Sequence, residues 1–243
     1  MPRVNMRVEL LRYTPSPEEL VAMGAKLCYA AADLDTLKQR IDAKDQSAFL
    51  DSLTSMGHLS VMEHATFTFG VEGVSRALLA QLTRHRIASF SVQSQRYVRP
   101  GAKGFDYIVP PAIEALGEDA VREFADQMEQ MQAWYDGWQE KLGANGESTN
   151  EDARFVLPNA ASTRLIVTMN ARELLHFFSL RCCNRAQWEI RAMAWEMLRQ
   201  ATQAAPHLFK NAGPGCLRGA CPEGAKCCGK MAQVREKREE SRG

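Results

Sequence analysis

Residues 65–86 read ATFTFGVEGVSRALLAQLTRHR, and the change of period inside this stretch decides the fold class. Ala65 to Glu72 alternates, with Phe67, Phe69 and Val71 on one side and Thr66, Thr68, Gly70 and Glu72 on the other, which is the pattern of a strand with one buried face. From Ser75 to about Arg86 the spacing turns helical, with Leu78, Leu79 and Leu82 as the apolar stripe and Ser75 suited to cap the start. The same succession occurs twice more. Arg7 to Leu11 alternates weakly and stops at Pro15 and Pro17, and helical spacing follows to Ala31 through Leu20, Met23 and Leu27. Thr163 to Met169 reads as a second buried strand ending at Asn170, a cap for a helix through Leu174, Leu175 and Phe178 with Glu173 at its third position, a variant of the capping box.

Between these segments, Pro100, Gly101, Gly104, Pro110 and Pro111 mark a loop-rich crossing. Val121, Phe124, Met128, Met131, Tyr135, Trp138 and Leu142 then recur every three or four residues, predicting one long helix. Its aromatic and methionine stripe reads as packing against a core or a neighbouring subunit in preference to a ligand groove. Ala186 to Gln203 is a further amphipathic helix carrying Trp188, Ile190, Met193, Met197 and Leu198. No internal repeat or low-complexity linker interrupts this order. The expectation is an α+β fold over residues 1–212, a single intertwined domain with a central antiparallel or mixed sheet flanked by helices. Residues 213–243 form a Cys-rich, charged tail whose end, Arg235 to Glu240, reads as solvated and frayed.

The 243 residues are 45% hydrophobic and 24% charged, a composition that folds, and 30 Lys and Arg stand against 29 Asp and Glu, which disfavours a polyanion-binding coat. No apolar run approaches the roughly 20 residues of a membrane-spanning helix. The start has no signal-peptide pattern, and seven cysteines with two adjacent pairs do not make a secreted disulfide framework, so the expected compartment is the cytoplasm.

Three polar clusters carry the chemistry. Arg84-His85-Arg86, followed by Ser89, Ser91, Ser94 and Arg96, places guanidiniums, an imidazole and hydroxyls together, with Gln81 on the same helix face. Cations at a helix C-terminus can simply complement its dipole, but the run of hydroxyls ending at Arg96 suits a phosphate ester. Ser94 lacks a nucleophile elbow and an orienting carboxylate, so its hydroxyl reads as a phosphate donor. The second cluster is Arg154, Asn170, Arg172, His176, Arg181 and Arg185, in which Asn170 and Arg172 sit at an anion-favouring helix start. Arg181, beyond Phe177 and Phe178, needs an acidic partner, a bound anion or a developing negative charge. The third, Gly57-His58-Leu59-Ser60 with Glu63-His64, does not match a His-Glu-x-x-His zinc site. Cys216, Cys221, Cys227 and Cys228 lack paired Cys-x2-Cys knuckles, which favours thiols or an oxidative disulfide over zinc, and no metal is assigned. Neither a Rossmann glycine fingerprint nor a P-loop is present.

With these residues in view, the chain resembles the flavin-dependent thymidylate synthases. The resemblance rests on Arg84-His85-Arg86, seven residues, then Ser94-Gln95-Arg96-Tyr97. It continues in Gly57-His58, Glu63-His64, Arg154 ahead of Leu157-Pro158, Asn170-Ala171-Arg172, Leu180-Arg181 and Ala186-Gln187-Trp188-Glu189, all in family order over roughly residues 5–210. It implies a cytoplasmic homotetramer with active sites between chains. That enzyme methylates dUMP to dTMP with 5,10-methylenetetrahydrofolate as carbon donor, NADPH as reductant and FAD as the hydride carrier. It further implies nucleotide contacts from Gln81, Leu82, Thr83, Arg84, Val92, Gln93, Ser94, Gln95, Arg96, Arg154 and Arg181, the last favouring ionisation at uracil N3. FAD contacts are implied for His58, Ser60, Arg84, His85, Arg86, Val92, Asn170, Ala171, Arg172 and His176. His176 stands where many members have Asn, and Arg185 where some have a flavin-contacting His. The rival reading is a non-catalytic nucleotide or RNA-binding module built on the same arginines, against which stand the balanced charge and the presence of only Phe90 and Tyr97 as stacking surfaces. No nucleic-acid polymer or membrane is expected as a partner.

Overall fold

The computed structural model describes residues 1–101 and 103–241. In chain order the strands are β1 (Arg7–Tyr13), β2 (Thr66–Ser75), β3 (Ala88–Val92) and β4 (Ser162–Asn170). The helices are α1 (Pro17–Leu27), α2 (Leu34–Asp42), α3 (Ser47–Ser55), α4 (Arg76–Leu82), α5 (Pro111–Glu114), α6 (Glu118–Lys141), α7 (Glu147–Ala153), α8 (Ala171–Arg181), α9 (Trp188–Ala204) and α10 (Met231–Glu240). The strands form one sheet in the order β1-β2-β4-β3. Thr68 meets Thr168 through their hydroxyls at 2.9 Å, while the Ala171 amide donates to the Ala65 carbonyl at 2.8 Å. Residue numbers thus fall along one strand as they rise along its neighbour, the antiparallel register. This is the α+β architecture expected from the sequence.

Side-chain caps fix the starts of α4, α8 and α9. The Ser75 hydroxyl accepts from the Leu78 amide at 3.0 Å, and Asn170 Oδ1 accepts from the Glu173 amide at 2.8 Å. Gln187 Oε1 accepts from the amides of Glu189 and Ile190 at the head of α9. Such caps satisfy donors that the first helical turn leaves open.

The chain divides into two compact units. The first holds Met1–Arg7, Val71–Arg84 and Phe90–Ile166. Its core gathers Phe105, Tyr107, Val109, Met128 and Ala161, with Val121, Phe124 and Met131 of α6 packed against them. α6 buries Met128 and Tyr135 but leaves Trp134 and Trp138 about half exposed, so the stripe read from the sequence is only partly covered within the unit.

The second unit holds Val8–Gly70, His85–Ser89 and, among the described residues, 167–241. Phe67, Phe178 and Phe209 pack edge to face at centroid distances of 5.2 and 5.9 Å. α9 buries Ile190, Met193, Met197 and Leu198, and its Trp195 indole donates to the Cys182 carbonyl at 3.1 Å.

Three expectations are corrected. α1 ends at Leu27 instead of Ala31, and α4 ends at Leu82 instead of Arg86, so Arg84, His85 and Arg86 are not helical and Gln81 shares no helix face with them. The segment from Arg235 to Glu240 is docked and not frayed. Val234 and Arg238, one turn apart on α10, are both buried, and the Arg238 guanidinium donates to the Phe209 carbonyl at 2.7 Å and the Thr202 hydroxyl at 3.2 Å. A net-polar helix keeps one inward stripe because residues four apart share a face. Replacing Arg238 by Ala should cost about 1–3 kcal/mol, the penalty for stranding buried acceptors. Urea unfolding would show the loss and hydrogen exchange would show faster opening of α10; unchanged exchange there would show that Arg238 does not hold the helix.

Candidate active site

In the first unit, the turn after β3 carries Gln93, Ser94, Gln95 and Arg96. The Ser94 hydroxyl oxygen accepts from the Arg96 amide at 3.1 Å, which closes the turn and leaves the hydroxyl proton available to donate. A buried polar set anchors the turn from behind. Asn150 of α7 donates to the Arg96 carbonyl at 2.7 Å, and Gln139 of α6 donates to Asn150 Oδ1 at 2.8 Å and to the Tyr135 hydroxyl at 2.9 Å. Burial pushes the Tyr135 phenol up, so it stays protonated. Arg96 itself lies between Glu147 and Glu151, at 2.7 and 2.9 Å.

Gln93, Ser94 and Gln95 line a cavity of about 690 Å³, a volume suited to a small ligand. Its lining includes Arg76, Arg99, Lys103 and Arg164 against the carboxylates of Glu72 and Asp106. Arg76 was not singled out by sequence reasoning. It opens α4 at the helix N-terminus, where a cation opposes the dipole, and that misplacement was the available signal. Its guanidinium donates to the Gln93 carbonyl at 2.9 Å, while its buried Nε meets no hydrogen-bond partner among the described residues. Burial and the neighbouring Arg154 both push the Arg76 guanidinium downward from its ordinary value. Two adjacent guanidiniums, one with an unmet buried donor, are chemically prepared for an anion. Of the other sequence candidates in this unit, Leu82 is buried and can offer only main-chain groups, the Thr83 hydroxyl is used on the Leu79 carbonyl at 3.0 Å, and Arg84 is exposed.

In the second unit the geometry centres on His85. The ring is 5% exposed and stands edge-on to Phe177 at 4.9 Å. Its Nδ1 lies 3.0 Å from Glu173 Oε1, and its Nε2 accepts from Arg181 Nε at 3.0 Å. Burial lowers the His85 pKa more than the Glu173 hydrogen bond raises it. Glu173 was read only as part of a capping box; its amide is capped by Asn170, but its carboxylate turns to His85. Arg86, Arg172 and His176 are exposed on this unit, as are His58 and Ser60 on and beside the 3-10 turn over Ser60–His64. Arg172 pairs with Glu63 at 2.5 Å, and Ala171 is fully buried, leaving only its main chain for contact. Arg185 is occupied by Glu223 at 3.1 Å and the Lys226 carbonyl at 3.2 Å. Among the described residues no group of three His, Cys, Asp or Glu is placed to hold a metal ion, and no helix is long and apolar enough to cross a membrane.

A family profile described as "Thymidylate synthase complementing protein" matches residues 9–207. A flavin-dependent thymidylate synthase of Geobacter sulfurreducens is 55% identical over 230 residues, covering 95% of this chain and 97% of the relative. The chain belongs to the flavin-dependent thymidylate synthase family. Relatives carrying the same name in Clostridium tetani and Nitratidesulfovibrio vulgaris are 46% and 49% identical, over 96% and 95% of this chain and 97% of each relative. For a flavin-dependent thymidylate synthase, the exposed donors on the second unit fit a flavin dinucleotide chemically. Arg86, Arg172 and the capped start of α8 suit a pyrophosphate, while Ser60, His58 and His176 offer further polar contacts.

The depressed His85 pKa has a stability consequence with a definite sign. Below its ordinary value of 6.5 the unfolded chain takes up a proton that the folded chain resists, so this residue's contribution is present above that pH and is lost as pH falls below it. His85→Gln should therefore flatten the fall in unfolding free energy between about pH 7.5 and 5.5, measured by urea titration. An unchanged slope would mean that His85 is not held neutral.

Proposed function

We infer that this chain catalyses the reductive methylation of dUMP to dTMP, taking the carbon from 5,10-methylenetetrahydrofolate and reducing equivalents from NADPH through FAD. The alternative of a non-catalytic nucleotide or RNA module finds no support in the family match. Membership over residues 9–207 supports residues 1–212 as the catalytic part and 213–243 as an appended tail.

The observation that carries the assignment of roles is the guanidinium of Arg181, tied through Nε to a buried ring and so held in one orientation. A fixed cation of this kind stabilises the uracil anion as N3 loses its proton, which is electrostatic catalysis by a preorganised group. Ser94, with its free proton, and the main chain of Gln95 hold the nucleotide phosphate together with Arg96 and Arg154, while Gln81, Leu82, Thr83, Arg84, Val92 and Gln93 contribute to the same substrate. Arg96 exchanges part of its pairing with Glu147 and Glu151 for the phosphate, an exchange that charge-assisted, bidentate geometry favours. His58, Ser60, Arg86, Asn170, Ala171, Arg172 and His176 hold the flavin, His85 contributes through its main chain because its ring is buried, and Arg84 and Val92 serve both ligands. When bound, FAD supplies the hydride that the protein's own groups cannot. The chain assembles as a homotetramer with active sites between subunits; the half-exposed Trp134 and Trp138 of α6, with Leu142 beside them, are apolar surface suited to such contact.

Arg181→Ala should reduce dTMP formation by about 100- to 1,000-fold, the usual cost of removing one transition-state donor, while the protein stays folded and yellow with FAD. Turnover assays with the flavin spectrum as control would decide. Near-normal turnover places the role elsewhere, and a wild-type protein that neither binds supplied FAD nor forms dTMP overturns the enzymatic reading.

A further inference from the structure

We propose that His85 is a positioning residue for Arg181, acting as a neutral ring whose acceptor nitrogen sets the orientation of the guanidinium, with Glu173 fixing which nitrogen carries the proton. The inference rests on the reading that Arg181 meets the substrate's uracil, and it extends that reading to two residues behind it.

The assignment follows from donor and acceptor chemistry. A guanidinium has only donors, so the ring nitrogen 3.0 Å from Arg181 Nε must present a lone pair. His85 therefore carries its proton on Nδ1, and that proton points at Glu173 Oε1, 3.0 Å away. Both members are sealed from water, His85 being 5% and Glu173 7% exposed. Phe177 stands against one edge of the ring and His176 lies 6.0 Å from it. The charged or titratable groups facing the ring are thus Glu173, Arg181 and His176. Protonating His85 would set two cations against each other across the hydrogen bond to Arg181, so the arrangement selects the neutral ring. The Nε edge of the guanidinium is held by the ring. The Glu173 carboxylate shares its negative charge through the ring without touching the arginine.

The test is a substitution series on the FAD-loaded enzyme. His85→Leu keeps comparable packing volume and removes both ring nitrogens; it should lower kcat and dUMP affinity by about 10- to 100-fold, the effect of losing one hydrogen bond to a charged group. His85→Gln places an amide oxygen near the Nε2 position and should restore most of that loss, whereas His85→Asn, ending near Nδ1, should not. In a double-mutant cycle on dUMP binding, His85→Leu should cost almost nothing further once Arg181 is Ala. Ring-nitrogen NMR of the wild type should show the Nδ1-protonated neutral tautomer. The positioning role is overturned if His85→Leu retains wild-type turnover, if Gln and Asn are equally impaired, if the two substitutions add independently, or if the proton sits on Nε2. A poorly folding Leu variant leaves the Gln and Asn comparison to decide. Failure of the underlying reading looks different: Arg181→Ala itself would then leave turnover and dUMP binding intact.

Discussion

The buried hydrogen bond between His85 and Glu173 is the constraint from which much of the local structure follows. A polar ring without water needs a partner for each nitrogen, and the two partners come from opposite ends of α8. Meeting that demand takes the chain out of the helical path after Leu82, although the sequence would support another turn. It also diverts Glu173 from the capping box, since its carboxylate is spent on the ring while Asn170 alone caps the helix. The middle residue of the Arg-His-Arg tripeptide faces inward and the flanking arginines face out.

Charge is distributed so that a nearly neutral chain holds two strongly cationic regions. In the first unit, Arg96 is compensated by two glutamates, whereas Arg76 keeps a buried donor that meets no hydrogen-bond partner among the described residues. The pairing of Arg96 gives structure to the resting protein, and the unmet donor of Arg76 marks where an anion has much to offer. In the second unit Arg86 and Arg172 lie on the surface, Arg238 is buried on carbonyl and hydroxyl acceptors, and Arg181 is tied to a buried neutral ring. This arrangement suits small anions with defined geometry and offers no continuous track for a polymer.

The strands were legible because Phe67, Phe69 and Val71, and later Leu165 and Val167, alternate cleanly and are buried as the alternation requires. Ser75 and Asn170 announced their caps because short polar side chains before apolar runs have few other uses. The end of α4 was not legible, since it is decided by a contact between residues 85 and 173, far apart in sequence. β3 was missed because a five-residue strand rich in serine carries a weak periodic signal, and α10 because its single buried stripe hides in a charged run. Within the candidate site the arginines were readable one by one. What the sequence could not disclose was pairing: which carboxylate meets which cation, and that His85 spends both nitrogens on protein groups.

The tryptophans divide by unit, Trp134 and Trp138 on α6 of the first and Trp188 and Trp195 on α9 of the second. The first pair is half in solvent, while Trp195 is buried with its indole N–H bonded to a carbonyl. Intrinsic fluorescence is therefore a two-colour report, its red-shifted emission coming from one unit and its blue-shifted emission from the other. Loss of order in either can be followed without adding a label.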